Sequence, residues 1–348
     1  MKYTFPGFID LHVHFRDPGV PEAETTASGL EAARRGGFAA VVVMPNTTPP
    51  IDTPERVKAQ LQGLSPQHGG QTPRLFTSAC ITENRGGERC APLEELADAG
   101  AVFFTDDGTY VSNAKVMKEA MRRAYELNMV VSQHALATGI SEADCIRRDL
   151  SLVRETGCRL HVQHISTATG VELVREAIKE GLPVTAEATP HPLLLTADDI
   201  PACDNLSTDR PSSFFKMAPP LATKEDRAEL RKAVKDGLFM FATDHAPHPI
   251  SKKLVPYKDA ANGIIGLETA IPITYHVMVE EEGMSIEDWA KAWYKLPREL
   301  LGLKDDTLKP TTIETELPRK VEVNSFASLS RNCPYDGLKF NAWPLSID

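Results

Sequence analysis

Two histidines near the start of the chain are the first residues whose type and spacing suggest chemistry. His12 and His14 lie in the apolar segment 8–15, with sequence FIDLHVHF. Alternate side chains of a strand point to the same face, so both imidazoles are expected on one face of a strand. Two such imidazoles at a strand end supply half of the ligands of a metal site. A single His-x-His motif also arises by chance, so other polar strand ends are needed to favour a metal.

Later apolar segments end in residues of the same chemical type. Arg16 directly follows the first segment, and the polar residues at the later ends are Asn46, Asp106, Asp107, His134, His164, Glu187, His191, Asp244 and His248. A structural histidine explains any one of these positions, but it does not explain six strand ends of the same kind. Imidazole and carboxylate groups are the ligands of zinc and similar divalent ions. The sequence therefore predicts a metal site.

The elements that must position these residues alternate regularly. Predicted strands occupy 7–14, 39–45, 74–81, 101–106, 129–134, 159–165, 183–188 and 238–243. Predicted helices occupy 23–35, 54–62, 92–98, 113–127, 141–156, 168–180, 223–236, 266–281 and 285–295. Eight strands that alternate with helices indicate an α/β protein, a (β/α)8 TIM-type barrel over residues 1–302, whose active site lies at the carboxyl ends of the strands. An open doubly wound sheet is the alternative, but no Gly-x-Gly-x-x-Gly follows the first strand.

Three segments depart from this alternation. Residues 197–222 and 246–265 form long connections, which in compact domains are often binding loops or lids. Residues 303–348 show little periodicity, and we expect an irregular C-terminal extension on the surface.

Composition excludes several classes of function. The chain has 348 residues and a formal net charge of −10, whereas nucleic-acid binders carry basic patches. Its apolar runs are too short to span a membrane, and the first residues do not form a signal peptide. Six cysteines occur without a Cys-x-x-Cys pair, as expected for reduced thiols. We therefore expect a cytoplasmic protein that acts on a small molecule and binds neither nucleic acid nor membrane.

Several motifs, in order along nearly the whole chain, resemble those of the dihydroorotase family of the amidohydrolase superfamily. They are FIDLHVHFRDPG at 8–19, MPNT at 44–47, FTDDG at 104–108, HVQHIS at 161–166, TPH at 189–191, TDHAPH at 243–248, GIIGLET at 263–269 and, weakly, SRNCPY at 330–335. The resemblance implies reversible cyclisation of N-carbamoyl-L-aspartate to dihydroorotate, a step of pyrimidine biosynthesis, with one or two Zn²⁺ ions.

The same resemblance implies a role for each matching residue. It implies metal ligation by His12, His14, Asp107, His134, His164 and Asp244. Many relatives use a carbamylated lysine where this chain has an aspartate; Asp107 is the expected ligand and Asp106 the alternative. Asp244 is the expected catalytic base, because it can move a proton between water and the leaving nitrogen. The residues expected to bind the substrate carboxylate are Arg16, Asn46 and His248.

Three features depart from the family pattern. Only six residues precede the first predicted strand, so the small accessory β domain of the family is expected to be missing or vestigial. His134 is followed by Ala-Leu-Ala, where relatives often have Cys-Glu-Asp. Ala218 replaces an asparagine that contacts substrate, and a donor from Arg210, Lys216 or Lys252 is expected to replace it.

Two further functions are weighed against an active dihydroorotase. One is a non-catalytic homologue that serves as a scaffold for aspartate carbamoyltransferase; the complete set of ligand positions favours an enzyme. The other is a related cyclic amidase, a hydantoinase or allantoinase, which does not need a carboxylate-binding set. The sequence leaves open a homo-oligomer or an aspartate carbamoyltransferase complex.

Overall fold

A computed structural model describes residues 1–62, 72–202, 205–304 and 308–345. The strands are β1 (Lys2–Phe5), β2 (Phe8–Val13), β3 (Phe38–Val43), β4 (Arg74–Thr77), β5 (Val130–Gln133), β6 (Arg159–Val162), β7 (Val184–Ala188), β8 (Phe239–Phe241), β9 (Thr311–Glu314), β10 (Arg319–Lys320), β11 (Lys339–Phe340) and β12 (Trp343–Pro344). The helices are α1 (Thr26–Arg35), α2 (Pro54–Gln62), α3 (Leu93–Asp98), α4 (Ala114–Glu126), α5 (Glu142–Thr156), α6 (Ala168–Glu180), α7 (Pro190–Leu194), α8 (Lys224–Lys235), α9 (Ile250–Lys253), α10 (Ala270–Tyr275) and α11 (Ile286–Leu301).

Parallel strands form the centre of the fold, and the predicted α/β class is confirmed. Strands β2, β3 and β4 form one sheet, and β5, β6, β7 and β8 form another. Several helices begin and end at local sequence signals: Ser141 caps α5 through its side chain, and Gly157 ends that helix in the left-handed conformation.

The segment predicted as the fourth strand is less regular than expected. Residues 101–106 lie between β4 and β5, but only Phe104 forms bridges, to Ala79 and to Val131. On the other side, Val13 bridges to His245, and the amide of His14 donates to the carbonyl of His245 at 2.9 Å. Single bridges therefore link the two sheets on both sides, because polar turns that carry site residues begin at these strand ends.

The core has two parts. A large apolar cluster lies between the strands and the surrounding helices. A smaller one contains residues from both parallel sheets, which therefore face each other: Ile9, Leu11, Ala40, Val42, Phe76, Val130 and Met240. Helix α11 packs against β2 and β8 and carries the fully buried Trp289 and Trp293.

The C-terminal segment differs from the irregular surface extension predicted for it. Strand β9 pairs antiparallel with β1 and with β12, which gives a small three-stranded sheet. Asn332 is fully buried and donates to the carbonyls of Ala246 and Gly263 at 2.9 and 3.0 Å. Strands β1 and β9 lie about 300 residues apart in sequence, so local periodicity carries no sign of their pairing.

The structure also bears on the expectations about membrane spans and cysteines. No helix within the described ranges is long and apolar enough to cross a membrane. The five cysteines in the described part of the chain are free thiols, while Cys203 lies outside it.

Candidate metal centre and cavity

The candidate metal centre consists of His12, His14, Asp107, His134, His164 and Asp244. Strand β2 positions its first two members. The buried carboxylate of Asp10 accepts from the amide of His12 at 3.1 Å and from the amide and hydroxyl of Thr243 at 3.0 and 2.5 Å. It therefore ties the end of β2 to the turn after β8, next to Asp244.

His12 and His14 face the same two carboxylates. Nε2 of His14 lies 2.9 Å from Oδ1 of Asp244, and Nε2 of His12 lies 3.4 Å from the same oxygen. Asp107 is 3.2 Å from His12 Nε2 and 3.4 Å from His14 Nε2. Within the described residues, the buried His12 Nε2 has no partner in hydrogen-bond geometry. A buried imidazole nitrogen that lies close to two carboxylates but has no hydrogen-bond partner is typical of a metal ligand.

Glu187, at the end of β7, holds His12 from the other side. Its carboxylate lies 2.6 Å from His12 Nδ1, 3.0 Å from His161 Nε2 and 3.2 Å from the amide of His164. A proton on Nδ1 leaves the Nε2 lone pair of His12 free to bind a metal. Burial alone raises the pKa of Glu187, but His12 and His161 hold it well below its usual range. The sequence places Glu187 at a strand end but does not assign it to the metal site; an isolated carboxylate in a buried strand is the signal for its role.

His134 and His164 form the second imidazole pair. His134 Nδ1 lies 2.8 Å from His164 Nε2, and Asp107 Oδ1 lies 3.8 and 3.9 Å from these two nitrogens. Burial and the neighbouring His134 ring lower the pKa of His164 to about 3, so that its ring is neutral. A neutral imidazole is the form that binds a metal.

Three groups of three residues are close enough to hold an ion: His12 with His164 and Asp244, His12 with His14 and Asp107, and Asp107 with His134 and His164. Burial lowers the pKa of His12, but Glu187, Asp107 and Asp244 outweigh it and raise that pKa well above 6.5. Such a concentration of buried carboxylates calls for a balancing positive charge. The residues present therefore fit one or two divalent ions.

The two adjacent aspartates of FTDDG are separated by their contacts. Asp106 accepts from the amides of Ile81 and Thr82 at 2.8 and 3.1 Å and from the Thr82 hydroxyl. Asp107 faces the imidazoles instead. Asp106 thus supports the loop after β4, and Asp107 is the aspartate that belongs to the candidate metal centre.

Backbone strain is concentrated at this site. Arg16, His164 and Asp244 have positive φ angles of 55°, 31° and 48°. Residues other than glycine rarely adopt such angles, and they persist where the surrounding structure enforces them. Here they turn the side chains toward the cavity instead of along the strand.

A cavity of about 260 Å³ opens above the candidate metal centre. It is lined by His14, Arg16, Asn46, Asp107, Gly108, His134, His164, Met217, Ala218, Asp244, Ala246 and Asn262. Arg16 is half-buried and donates through Nε to the carbonyl of Pro247 at 3.2 Å. Burial lowers its pKa to about 10, which leaves it charged at neutral pH. Its guanidinium suits a carboxylate.

The other two residues predicted to bind the carboxylate are engaged within the protein. Asn46 lies with Oδ1 2.8 Å from His14 Nδ1, and its Nδ2 donates to the Asp107 carboxylate at 3.1 Å. Nε2 of His248 lies 2.7 Å from the carbonyl oxygen of Asn262. Burial and the nearby Arg16 lower the pKa of His248 to about 3, so its neutral ring donates the Nε2 proton to that carbonyl.

The three donors suggested as replacements near Ala218 do not line this cavity. Lys216 donates to the carbonyl of Lys258 at 2.8 Å, and Arg210 lies over the ring of Phe215. Asn262, from the loop after β8, lines the cavity instead, although it is not among the site residues predicted from the sequence. Its place directly before Gly263, in the segment 263–269 that resembles the family, is the signal in the sequence.

Buried imidazoles and carboxylates at the carboxyl ends of parallel strands, below an arginine-lined cavity, define the class of metal-dependent hydrolases. Residues 1–142 match the family model described as dihydro-orotase-like. A dihydroorotase of Bacillus licheniformis is 37% identical over 98% of this chain and 84% of the relative. That of Thermus aquaticus is 38% identical over 99% of this chain and 86% of the relative. The chain belongs to the dihydroorotase family.

Solved structures agree on the fold. The L-hydantoinase (dihydropyrimidinase) of Arthrobacter aurescens superposes with a TM-score of 0.83 at 25% identity, over 99% of this chain and 83% of that one. Dihydroorotase of Saccharomyces cerevisiae, solved in complex with 5-fluoroorotic acid, superposes with a TM-score of 0.79 at 18% identity, over 99% of this chain and 98% of that one.

Proposed function

We propose that this chain is an active dihydroorotase of pyrimidine biosynthesis, which interconverts N-carbamoyl-L-aspartate and dihydroorotate in the cytoplasm. The single observation that carries the proposal is the set of three overlapping groups of buried imidazoles and carboxylates, each with Asp107 or Asp244, directly below a cavity that Arg16 lines. The site thus combines a hydrolytic centre with a group that binds a carboxylate, and dihydroorotate requires both.

Within this proposal, His12, His14 and Asp244 would hold one Zn²⁺, and His134 and His164 would hold a second. Asp107 would be a ligand in the role that a carbamylated lysine has in many relatives. A bound divalent ion supplies a Lewis acid and lowers the pKa of water. The overall architecture is the (β/α)8 barrel, and the sheet of β1, β9 and β12 is the reduced accessory β domain of the family.

The chain's own residues supply proton transfer and orientation. Asp244 faces both the metal ligands and the cavity, so it accepts the proton of the attacking water and returns it to the ring nitrogen that leaves. Burial raises the pKa of the Asp244 carboxyl, but His12 and His14 outweigh that effect and hold it at about 2, so the group is ionised at neutral pH and has a free oxygen lone pair to accept a proton. Arg16 orients the substrate carboxylate, and Asn46 and His248 remain predicted contributors to its binding.

Purified protein with measured metal content should be assayed with dihydroorotate and N-carbamoyl-L-aspartate, before and after chelation and after zinc is restored. We expect turnover of both substrates, lost on chelation and regained with zinc. Metal-loaded, folded protein that turns over neither substrate, alone or with aspartate carbamoyltransferase, would refute the enzyme and favour the scaffold.

A hydantoinase is the second candidate, since an L-hydantoinase superposes closely on this chain. Hydantoin carries no carboxylate, so its binding does not use Arg16. Turnover of hydantoin above that of dihydroorotate, unaffected by Arg16→Lys, would assign this activity.

Light scattering of the protein alone and with aspartate carbamoyltransferase tests the predicted homo-oligomer and complex.

A further inference from the structure

The cavity contains one side-chain amide that the site does not otherwise use. Asn262 lines the cavity and is exposed at its opening, and its side chain makes no hydrogen bond to the described residues. Asn46, the other amide of the cavity, is bonded at both ends to His14 and Asp107. A rotation of Asn46 toward substrate breaks contacts that hold two members of the candidate metal centre. Asn262 is free to contact a substrate without that loss.

Asn262 is on the side of the cavity that carries Arg16. Its carbonyl accepts the proton of His248 Nε2 at 2.7 Å, and Arg16 Nε donates at 3.2 Å to the carbonyl of Pro247, the residue directly before His248. The next residue packs tightly on the same ring: a Cβ at Gly263 would lie 2.5 Å from Cδ2 of His248. The loop is therefore held against His248, and the position of Asn262 is defined.

A buried lysine holds this loop from behind. Lys253 is fully buried, and its Nζ donates to the carbonyls of Ala261 and Gly263 at 2.9 Å each and of Lys216 at 3.4 Å. The first two carbonyls flank Asn262, and the third precedes Met217 and Ala218 on the other cavity-lining loop. A buried polar group is costly unless hydrogen bonds satisfy it, so these contacts favour one arrangement of the two loops.

We infer that Asn262 is a specificity-determining residue that donates its side-chain amide to the substrate carboxylate beside Arg16, and that Lys253 is the positioning residue that holds it there. The inference rests on the proposed function. An amide donor next to a guanidinium provides hydrogen bonds to one carboxylate from two directions. The ring of His248 meanwhile holds the loop through the backbone carbonyl of Asn262.

The test compares Asn262→Ala and Asn262→Asp with the wild type on dihydroorotate and on dihydrouracil, the ring without the carboxylate. We expect KM for dihydroorotate to rise about tenfold in Asn262→Ala, as for loss of a hydrogen bond to a charged group, and further in Asn262→Asp, where two carboxylates repel. kcat, metal content and the KM for dihydrouracil should stay within about twofold of the wild type, because neither variant removes a metal ligand.

Lys253→Met tests the positioning role, and Lys252→Met is its matched control, because Lys252 is exposed on the same short helix. We expect Lys253→Met to raise KM for dihydroorotate as Asn262→Ala does, with kcat and metal content retained, and Lys252→Met to change neither. The Asn262 variants stay informative if Lys253→Met does not fold, since Asn262 is exposed.

An unchanged KM for dihydroorotate in both Asn262 variants would overturn the inference, as would an equal rise for dihydrouracil. Failure of the proposed function has a different signature, since it appears as absent dihydroorotate turnover in the wild type itself. In that case, equilibrium binding of dihydroorotate to wild type and Asn262→Asp decides the inference: equal affinity contradicts it and weaker binding by the variant supports it.

Discussion

The two imidazole pairs of the candidate metal centre are held in different ways. His12 and His14 each use their second ring nitrogen, since Nδ1 of His12 contacts Glu187 at 2.6 Å and Nδ1 of His14 contacts Asn46 at 2.8 Å. His134 and His164 contact each other at 2.8 Å, and the buried Nδ1 of His164 has no hydrogen-bond partner among the described residues. Outer hydrogen bonds fix the tautomer and orientation of a ligand and strengthen metal binding. We therefore expect tighter binding at the position of the first pair.

Removal of one ligand from each pair has the largest expected effects and tests the comparison directly. His12→Ala should abolish both metal binding and activity, whereas His134→Ala should lose one equivalent of metal and keep measurable turnover. Metal content by mass spectrometry and the dihydroorotate assay measure both. His276→Ala, at a half-buried histidine paired with Glu280, is the control and should change neither. Equal losses in His12→Ala and His134→Ala would show that the two pairs are equivalent.

Asp244→Asn tests the proposed catalytic base, which lies beside His12 and His14. The amide keeps the size of the side chain but cannot take a proton, so kcat should fall by about 10²-fold to 10⁴-fold. Metal affinity should also fall, since the carboxylate faces His12 and His14. Steady-state kinetics measure kcat, and circular dichroism checks that the variant is folded. Asp236→Asn at the surface is the control. Near-normal kcat would assign the proton transfer to another residue.

Glu187→Gln tests the outer support of His12 with a smaller expected effect. The neutral amide holds the His12 proton less strongly, so metal affinity at the first pair should fall by about 10-fold to 100-fold. Competition with a chelating dye measures it, and Glu180→Gln on the surface is the matched control. Unchanged affinity would mean that the contact with Glu187 does not account for the difference between the pairs.

Arg16→Lys leaves both pairs intact and has the smallest expected effect. Lysine keeps the charge but loses the planar fork of donors, so KM for dihydroorotate should rise about tenfold. KM for dihydrouracil and metal content should not change. A parallel rise for both substrates would indicate that Arg16 supports the loops and not the carboxylate.

The sequence by itself determined the fold class and the types of residue at the strand ends. Alternating apolar and amphipathic segments placed the helices and most of the strands, because hydrophobic periodicity is a local property. The histidines of β2, and those after β5 and β6, were recognised because they directly end apolar segments. The structure brings them together with Asp107 and Asp244.

Only the tertiary structure decided which partner, distant in sequence, each polar group contacts. It turns Asp106 toward Thr82 and Asp107 toward the imidazoles, and two adjacent carboxylates cannot be told apart by type alone. It also pairs β1 with β9, across about 300 residues. The contacts of Lys253 with backbone carbonyls leave no pattern in the sequence, because any residue supplies a carbonyl. The physical reason is the same throughout: hydrogen bonds depend on side-chain direction and on partners that folding brings together.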